Sequence, residues 1–571
     1  MNPGFVLHYQ KIKPLDIDTL AKTYRAESPE DEKYNYNPYK ISGIQTYNPL
    51  YSEFFELNET NYNRVSLNHK YHIDGTQIPD LYHHRGFHMK CSPLLDPLHY
   101  LVGKYDYSDT SLTIMPSIAN KEQCFPKITS IHNVSYIDSF FSYLSSQLLH
   151  THNLINGLDY YGSYLGVQSV FKATVTDDLE YLYSSPKFME NLGKFYKIGG
   201  GHGNFDDFTN VGSRSNKCKI VISGEDELLE VEEIATPIPE ISPSSEPEEQ
   251  EIVYEKNPNS RKSSASYSTT SSLNSQELNY SSNEEGEEGE EDEEEYSDSD
   301  SDSESGSYSE SESEEPEVYA YIENFPMQMI CIEKCEGTLD KLFVDDEIDK
   351  DRGAAYLMQI IMTLIVYQKS FHFTHNDLHT NNIMYIETEQ EFVYYRYAGK
   401  FYKVPTYGKI FKLIDFGRAI YRFQGKTMCS DSFAPGGDAH TQYNCEPFLN
   451  ESKPRIDPNP SFDLCRLGCS IYDFIIEDEQ DKRDAFQETI WRWCQDDNGK
   501  NVLYKRNGEE RYPNFKLYKM IARNVHKHTP EAQLETPFFD QFRMNAKKAA
   551  KLNQEEVVRY GVDIDSIPSY V

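Results

Sequence analysis

The chain has 571 residues and a formal net charge of −38, from 55 Lys plus Arg against 93 Asp plus Glu. No nucleic-acid partner is expected. Hydrophobic residues make up 38%, enough for a sizeable core in two to four domains or in one large, interrupted one. The acidity is local: residues 224–317 hold 32 acidic and 3 basic side chains, a net of −29, which leaves −9 for the rest. The ten cysteines include no C-x-x-C pair. The spacings Cys331/Cys335 and Cys465/Cys469 lack histidines at zinc-site distances, so reduced thiols in an intracellular chain are expected. "MNPGFVLHYQKIK" lacks a long apolar centre, and the longest apolar run, near 356–367, is shorter than the ~18–20 residues of a membrane span. A soluble, intracellular protein without membrane contact follows.

In chain order, residues 1–75 are polar and Tyr/Asn-rich, with loop signals such as "YNYNPYKISG", and read as a partly ordered N-terminal extension. Residues 76–222 carry strand-like pieces, "GFHMKCS", "HYLVGKYDY" and "SLTIMPS", then a helix, "YIDSFFSYLSSQLLHTHN". In that helix Phe140, Tyr143, Leu144 and Leu148 recur at helical spacing. "GLDYYGSYLGV" and "SVFKATV" read as further strands. Residues 223–317 combine low hydrophobicity with dense like charge, which cannot offset the entropy of ordering, so disorder is expected. Such an insert suits basic partners.

Order is expected again over 318–545, followed by a tail at 546–571. "PMQMICIEKCEGTLDKLF" reads as a buried strand, a turn and a helix start; "AAYLMQIIMTLIVYQKS" is apolar all round, hence a buried helix. "FVYYRYAGKFYKVP" reads as a hairpin, and "DLCRLGCSIYDFII" and "AFQETIWRWCQD" as helices.

Two short polar stretches carry the chemistry. "HNDLHTNNIM" at 375–384 follows the buried helix, and "LIDFG" at 413–417 ends another apolar run. Carboxylates and an amide on loops fed by buried elements suit a site that holds a hard cation and a hydroxyl together. These motifs, His-x-Asp-Leu-x-x-x-Asn, Asp-Phe-Gly and then Asp-x-x-x-x-Gly from Asp463, resemble the catalytic and metal-binding loops of protein kinases of the serine/threonine type. "FHMKC" resembles the strand whose lysine grips the nucleotide phosphates, and "MICIEKCEGTL" the strand and hinge beside adenine. The Tyr/Asn-rich, insert-laden style is most similar to divergent kinases of giant DNA viruses, which implies a host cytoplasm or virion as location.

The resemblance implies an α+β, bilobal fold with a strand-rich N-lobe, a helical C-lobe and a long acidic insert. It implies ATP and Mg2+ as cofactors and transfer of phosphate to protein Ser/Thr hydroxyls. Asp377 would be the catalytic base on a solvent-facing loop, with His379 beside it; Asn382 and Asp415 would hold magnesium. Lys90 would neutralise the inner phosphates, Glu333 would offer its backbone at the hinge, and Asp138 would either pair with Lys90 or cap its helix. His375 would pack against the Phe416 region.

Several departures stand out. No Gly-x-Gly-x-x-Gly precedes Lys90, no Ala-Pro-Glu closes the segment after Asp415, and His379 stands where many protein kinases have Lys. Asn376 replaces the Arg that often receives a phosphorylated activation loop. A small-molecule phosphotransferase and a weakly catalytic pseudokinase scaffold therefore stay open as alternatives.

Overall fold

Five strands form one antiparallel sheet: β1 (Ile41–Gln45), β2 (Phe87–Pro93), β3 (Tyr160–Thr174), β4 (Tyr196–Gly200) and β5 (Val318–Glu333). The 16-residue β5 is its centre. One edge of β5 pairs with β3 from Thr174 opposite Tyr319 to Tyr160 opposite Ile332. The other edge is shared, β4 taking Val318–Ile322 and β2 taking Met327–Glu333. β1 lies on the far side of β3. This computed structural model describes residues 7, 9–10, 15–67, 86–200, 317–476, 482–513, 515–549 and 560–571. The expected acidic insert, save Glu317, lies outside the described residues, as does most of the glycine-dense "IGGGHGNFDDF" stretch.

Two long helices make the core beside this sheet. Helix α1 (Val134–His152) buries Tyr136, Ile137, Phe140, Phe141, Leu144 and Leu148, as its periodicity predicts. Helix α2 (Lys350–Phe371) is buried over almost its whole circumference, matching a sequence apolar on every side. Beyond α2 the chain alternates strands and helices. β6 (Gly337–Thr338), β7 (Ile383–Glu387) and β10 (Lys409–Leu413) form a small sheet with β7 in the middle. Between β7 and β10 comes the expected hairpin, β8 (Phe392–Tyr397) and β9 (Lys400–Pro405). Its two-residue turn, Ala398–Gly399, has positive φ at both positions, the twist that antiparallel strands favour. Helices α3 (Phe462–Ile475), α4 (Ala485–Trp493) and α5 (Lys516–Asn524) complete a mixed α+β architecture. Among the described residues no helix is long and apolar enough to cross a membrane.

Three sequence expectations change. "HYLVGKYDY" begins inside a helix, Pro97–Leu101, rather than as a strand: Asp96 accepts the His99 N–H, Pro97 sits in the first turn, and Leu98 and Leu101 share the buried face. "SLTIMPS" holds a 3-10 turn begun by Asp109, whose carboxylate takes the Ser111 N–H. In both, a capping side chain outweighs an alternation too short to specify a strand. The third concerns the ends of the chain. All described residues belong to one compact unit, and residues expected as an extension supply β1 and fully bury Tyr47 and Leu50. Likewise Gly561–Asp563, expected within a tail, pairs in parallel with β8.

Candidate active site

The site begins where α1 meets β2. Asn133 caps α1 through the Ser135 N–H and donates to the Leu94 carbonyl, while Ser135 Oγ donates to the Pro93 carbonyl at 2.7 Å. These bonds pin the first turn of the helix to the end of the strand. Asp138, one turn on, thereby faces Lys90. The Lys90 Nζ lies 2.7 Å from Asp138 Oδ2 and 3.0 Å from Asp415 Oδ1. Asp138 pairs; Asn133 caps. The other Asp138 oxygen accepts the Phe416 N–H at 2.9 Å, so one buried carboxylate holds both the lysine and the backbone after Asp415. Burial disfavours a bare ammonium, but Asp138 and then Asp415 outweigh it and raise the Lys90 pKa above that of an ordinary lysine.

Asp415 sits in the left-handed region at φ 61°, which aspartate tolerates better than most residues. The Phe416 ring behind it is fully buried against Phe141, Tyr367, Phe373 and His375. The register of β7 with β10 places Ile383 opposite Leu413, and Ile414 N–H donates to the Asn382 carbonyl at 3.1 Å. Asn382 and Asp415, 33 positions apart in sequence, are therefore neighbours across two strand ends. Asn382 Nδ2 donates to the Asp377 carbonyl at 2.9 Å, fixing which end of the amide is the oxygen.

The loop carrying Asp377 hangs from Asp463 at the start of α3, whose buried carboxylate accepts the N–H groups of His375 and Asn376, both at 2.9 Å. His375 Nε2 bonds the Ile414 carbonyl at 2.9 Å, locking this loop to the one before Asp415. Asn376, at φ 64°, donates to the Arg418 carbonyl and accepts from the Tyr443 hydroxyl at 2.7 Å. A neutral amide thus ties down the segment after Asp415.

Asp377 is not solvent-facing: it is 5% exposed. Its Oδ1 accepts the Tyr518 hydroxyl at 2.8 Å, and its Oδ2 lies 3.9 Å from Arg418, which also pairs with Asp438. Burial alone would raise the Asp377 pKa, yet Arg418, His379, Arg466 and the Tyr518 bond together hold it below the usual carboxylate value. It is ionised wherever the protein is folded at neutral pH.

Glu333 closes β5. Its N–H donates to the Asp159 carbonyl, and its carboxylate accepts the Asp159 N–H and pairs with Lys412 at 2.9 Å. Its backbone donor and its side chain are both committed within the protein. The site residues that the sequence did not single out are Tyr518, Arg466 and Lys412. Lys412 carried one signal, a charge inside the apolar strand "KIFKLI"; Tyr518, 141 positions beyond Asp377, carried none.

His379 is 4% exposed, and its Nε2 has no hydrogen-bond partner. Burial, only partly opposed by Asp377, pushes its pKa down from 6.5 to about 4. A folded-state pKa below the unfolded one means that the unfolded chain binds the extra proton between these values. Stability is therefore fully present above pH 6.5 and falls as the pH drops towards 4. Unfolding in urea should show the wild type losing about 2 kcal/mol between pH 7 and pH 5 from this group, a slope that His379→Gln abolishes. An identical pH dependence in both proteins would mean that His379 takes up its proton as readily in the fold as in the unfolded chain.

Among the described residues, no group of three or more His, Cys, Asp and Glu side chains stands ready to hold a metal ion. The oxygens of Asp415 and Asn382 are hard donors of the kind magnesium prefers, and two of them leave most of an octahedral shell to phosphates and water. In comparisons with known proteins, no family model and no curated protein matches the chain.

Proposed function

We propose that the chain is an ATP-dependent phosphotransferase of bilobal, protein-kinase-like fold that phosphorylates serine and threonine hydroxyls of proteins. The observation that carries this reading is the Lys90 ammonium held between Asp138 and Asp415, with Asp138 also gripping the Phe416 N–H. Phosphoryl transfer asks a protein for positioning and charge compensation rather than covalent chemistry. A cation fixed by two carboxylates from distant parts of the chain is placed to meet phosphate oxygens without reorganising.

Asp377 accepts the hydrogen bond of the acceptor hydroxyl and takes its proton as the new bond forms. Asp138 keeps Lys90 aimed, and Lys90 compensates charge on the inner phosphates. Asn382 and Asp415 would hold magnesium, which when bound neutralises the phosphates and aligns them. His379 stays neutral at pH 7 and so supplies no full positive charge beside the acceptor. The Asn376 bonds to Arg418 and Tyr443 hold the following segment without a phosphate, which supports activity independent of phosphorylation there.

The test is incubation of purified protein with γ-labelled ATP and magnesium, offering dephosphorylated casein, then aminoglycosides and choline. Label on protein Ser or Thr that disappears with EDTA is the expected result. Label on the small acceptors alone would assign a small-molecule phosphotransferase instead. No magnesium-dependent label on any acceptor would make the chain a scaffold.

A further inference from the structure

We propose that Tyr518 is a built-in stopper of the acceptor site: its phenol occupies the position on Asp377 that a substrate hydroxyl must take. This inference rests on the phosphotransfer reading and concerns how that same site is regulated. The Tyr518 hydroxyl donates to Asp377 Oδ1 at 2.8 Å and accepts from Arg466 Nε at 3.0 Å. Its ring lies 5.3 Å from the Arg466 guanidinium and 5.9 Å from that of Arg418, within the range of cation–π attraction. The second Asp377 oxygen faces Arg418. The phenol takes the Oδ1 position and the Arg418 guanidinium stands 3.9 Å from Oδ2, so an incoming serine must displace the phenol to hydrogen-bond at Oδ1.

Helix α5 is built to let it leave. Its C-terminal half is anchored: Ile521 and Ala522 are buried, Arg523 donates to the Thr441 and Gln442 carbonyls, and the Asn524 carbonyl accepts from Asp497. Its N-terminal half packs on the core through Phe515, Leu517 and Tyr518, the last also against Phe462, yet fully buries none of them. Phe515 at the N-cap position carries no group that could cap the helix, Lys516 is exposed, and Leu517, Lys519 and Met520 are half-buried. Tyr518 stacks on Phe515 at 5.2 Å, so the two rings can swing out as one piece about the anchored end.

The experiment pairs hydrogen exchange with kinetics on the full chain. Tyr518→Phe keeps the ring and deletes the bond to a charged acceptor, so amides of residues 516–520 should exchange about ten-fold faster. Exchange in α2 should stay unchanged, which checks that the fold is intact. Transfer to dephosphorylated casein should rise at least three-fold in kcat/KM for Tyr518→Phe, and further for Tyr518→Ala, which also removes the ring. Unchanged exchange in α5, or slower transfer by Tyr518→Phe, would overturn the stopper and leave Tyr518 as a residue that positions Asp377. Faster exchange without transfer by any of the three proteins would support the contact as described and count instead against the phosphotransfer reading.

Discussion

Replacing Asp415 by Asn should lower phosphate transfer from ATP at least about 100-fold while leaving the fold intact. Asp415 holds a left-handed backbone at φ 61°, a conformation asparagine adopts readily and alanine does not. Asp415→Ala would therefore mix lost metal affinity with backbone cost, whereas Asp415→Asn keeps shape and conformation and deletes only the negative charge. Lys90 retains Asp138 at 2.7 Å, so its ammonium stays compensated in the variant. The comparison to make is labelled transfer at saturating magnesium and ATP beside thermal unfolding of both proteins. A variant that keeps more than about a tenth of the wild-type rate would remove Asp415 from the proposed machinery, because a metal-holding carboxylate contributes far more than that.

The part of the site that is legible in sequence is the part that lies at the ends of strongly patterned elements. Asp377 and Asn382 follow a 22-residue buried helix, and Asp415 ends a strand, so apolar patterning alone suffices to place their loops. Asp138 is only half legible. Pairing and capping are equally compatible with an aspartate in the first turns of a helix, and the presence of Asn133 as the cap decides between them. The segments at 97–101 and 110–113 mislead because a single capping aspartate outweighs a few residues of alternation. Residues 41–67 mislead for a different reason: tyrosine and asparagine read as loop, yet Tyr47 is fully buried and the buried Asn48 side chain accepts the Leu50 N–H. The environment of Asp377 is out of reach altogether. Tyr518, Arg466 and Arg418 come from three separate elements, and no spacing rule connects residues whose only relation is the packing of α3, α5 and the loop after Asp415.

The largest stability effect is expected away from the reacting groups, at Lys412. This lysine is 2% exposed, pairs with Glu333 at 2.9 Å and donates to the Gly157 carbonyl at 2.7 Å. Glu333 is itself buried at the end of β5, where its carboxylate also accepts the Asp159 N–H. Lys412→Met fills similar space but leaves a buried carboxylate without its counter-charge, so unfolding free energy should fall by about 3–5 kcal/mol. Adding Glu333→Leu removes the orphaned charge as well. Because a buried pair gains little over well-packed apolar groups, the double variant should recover most of that loss. Urea unfolding of the wild type, both single variants and the double variant measures the coupling directly. A cost below about 1 kcal/mol for Lys412→Met would mean that water reaches Glu333 and that the pair is not buried in solution. The pair also links β5 to β10, the strand that delivers Asp415. Lys412→Met should therefore slow transfer even at temperatures where the variant remains folded, and the double variant should recover stability more fully than rate.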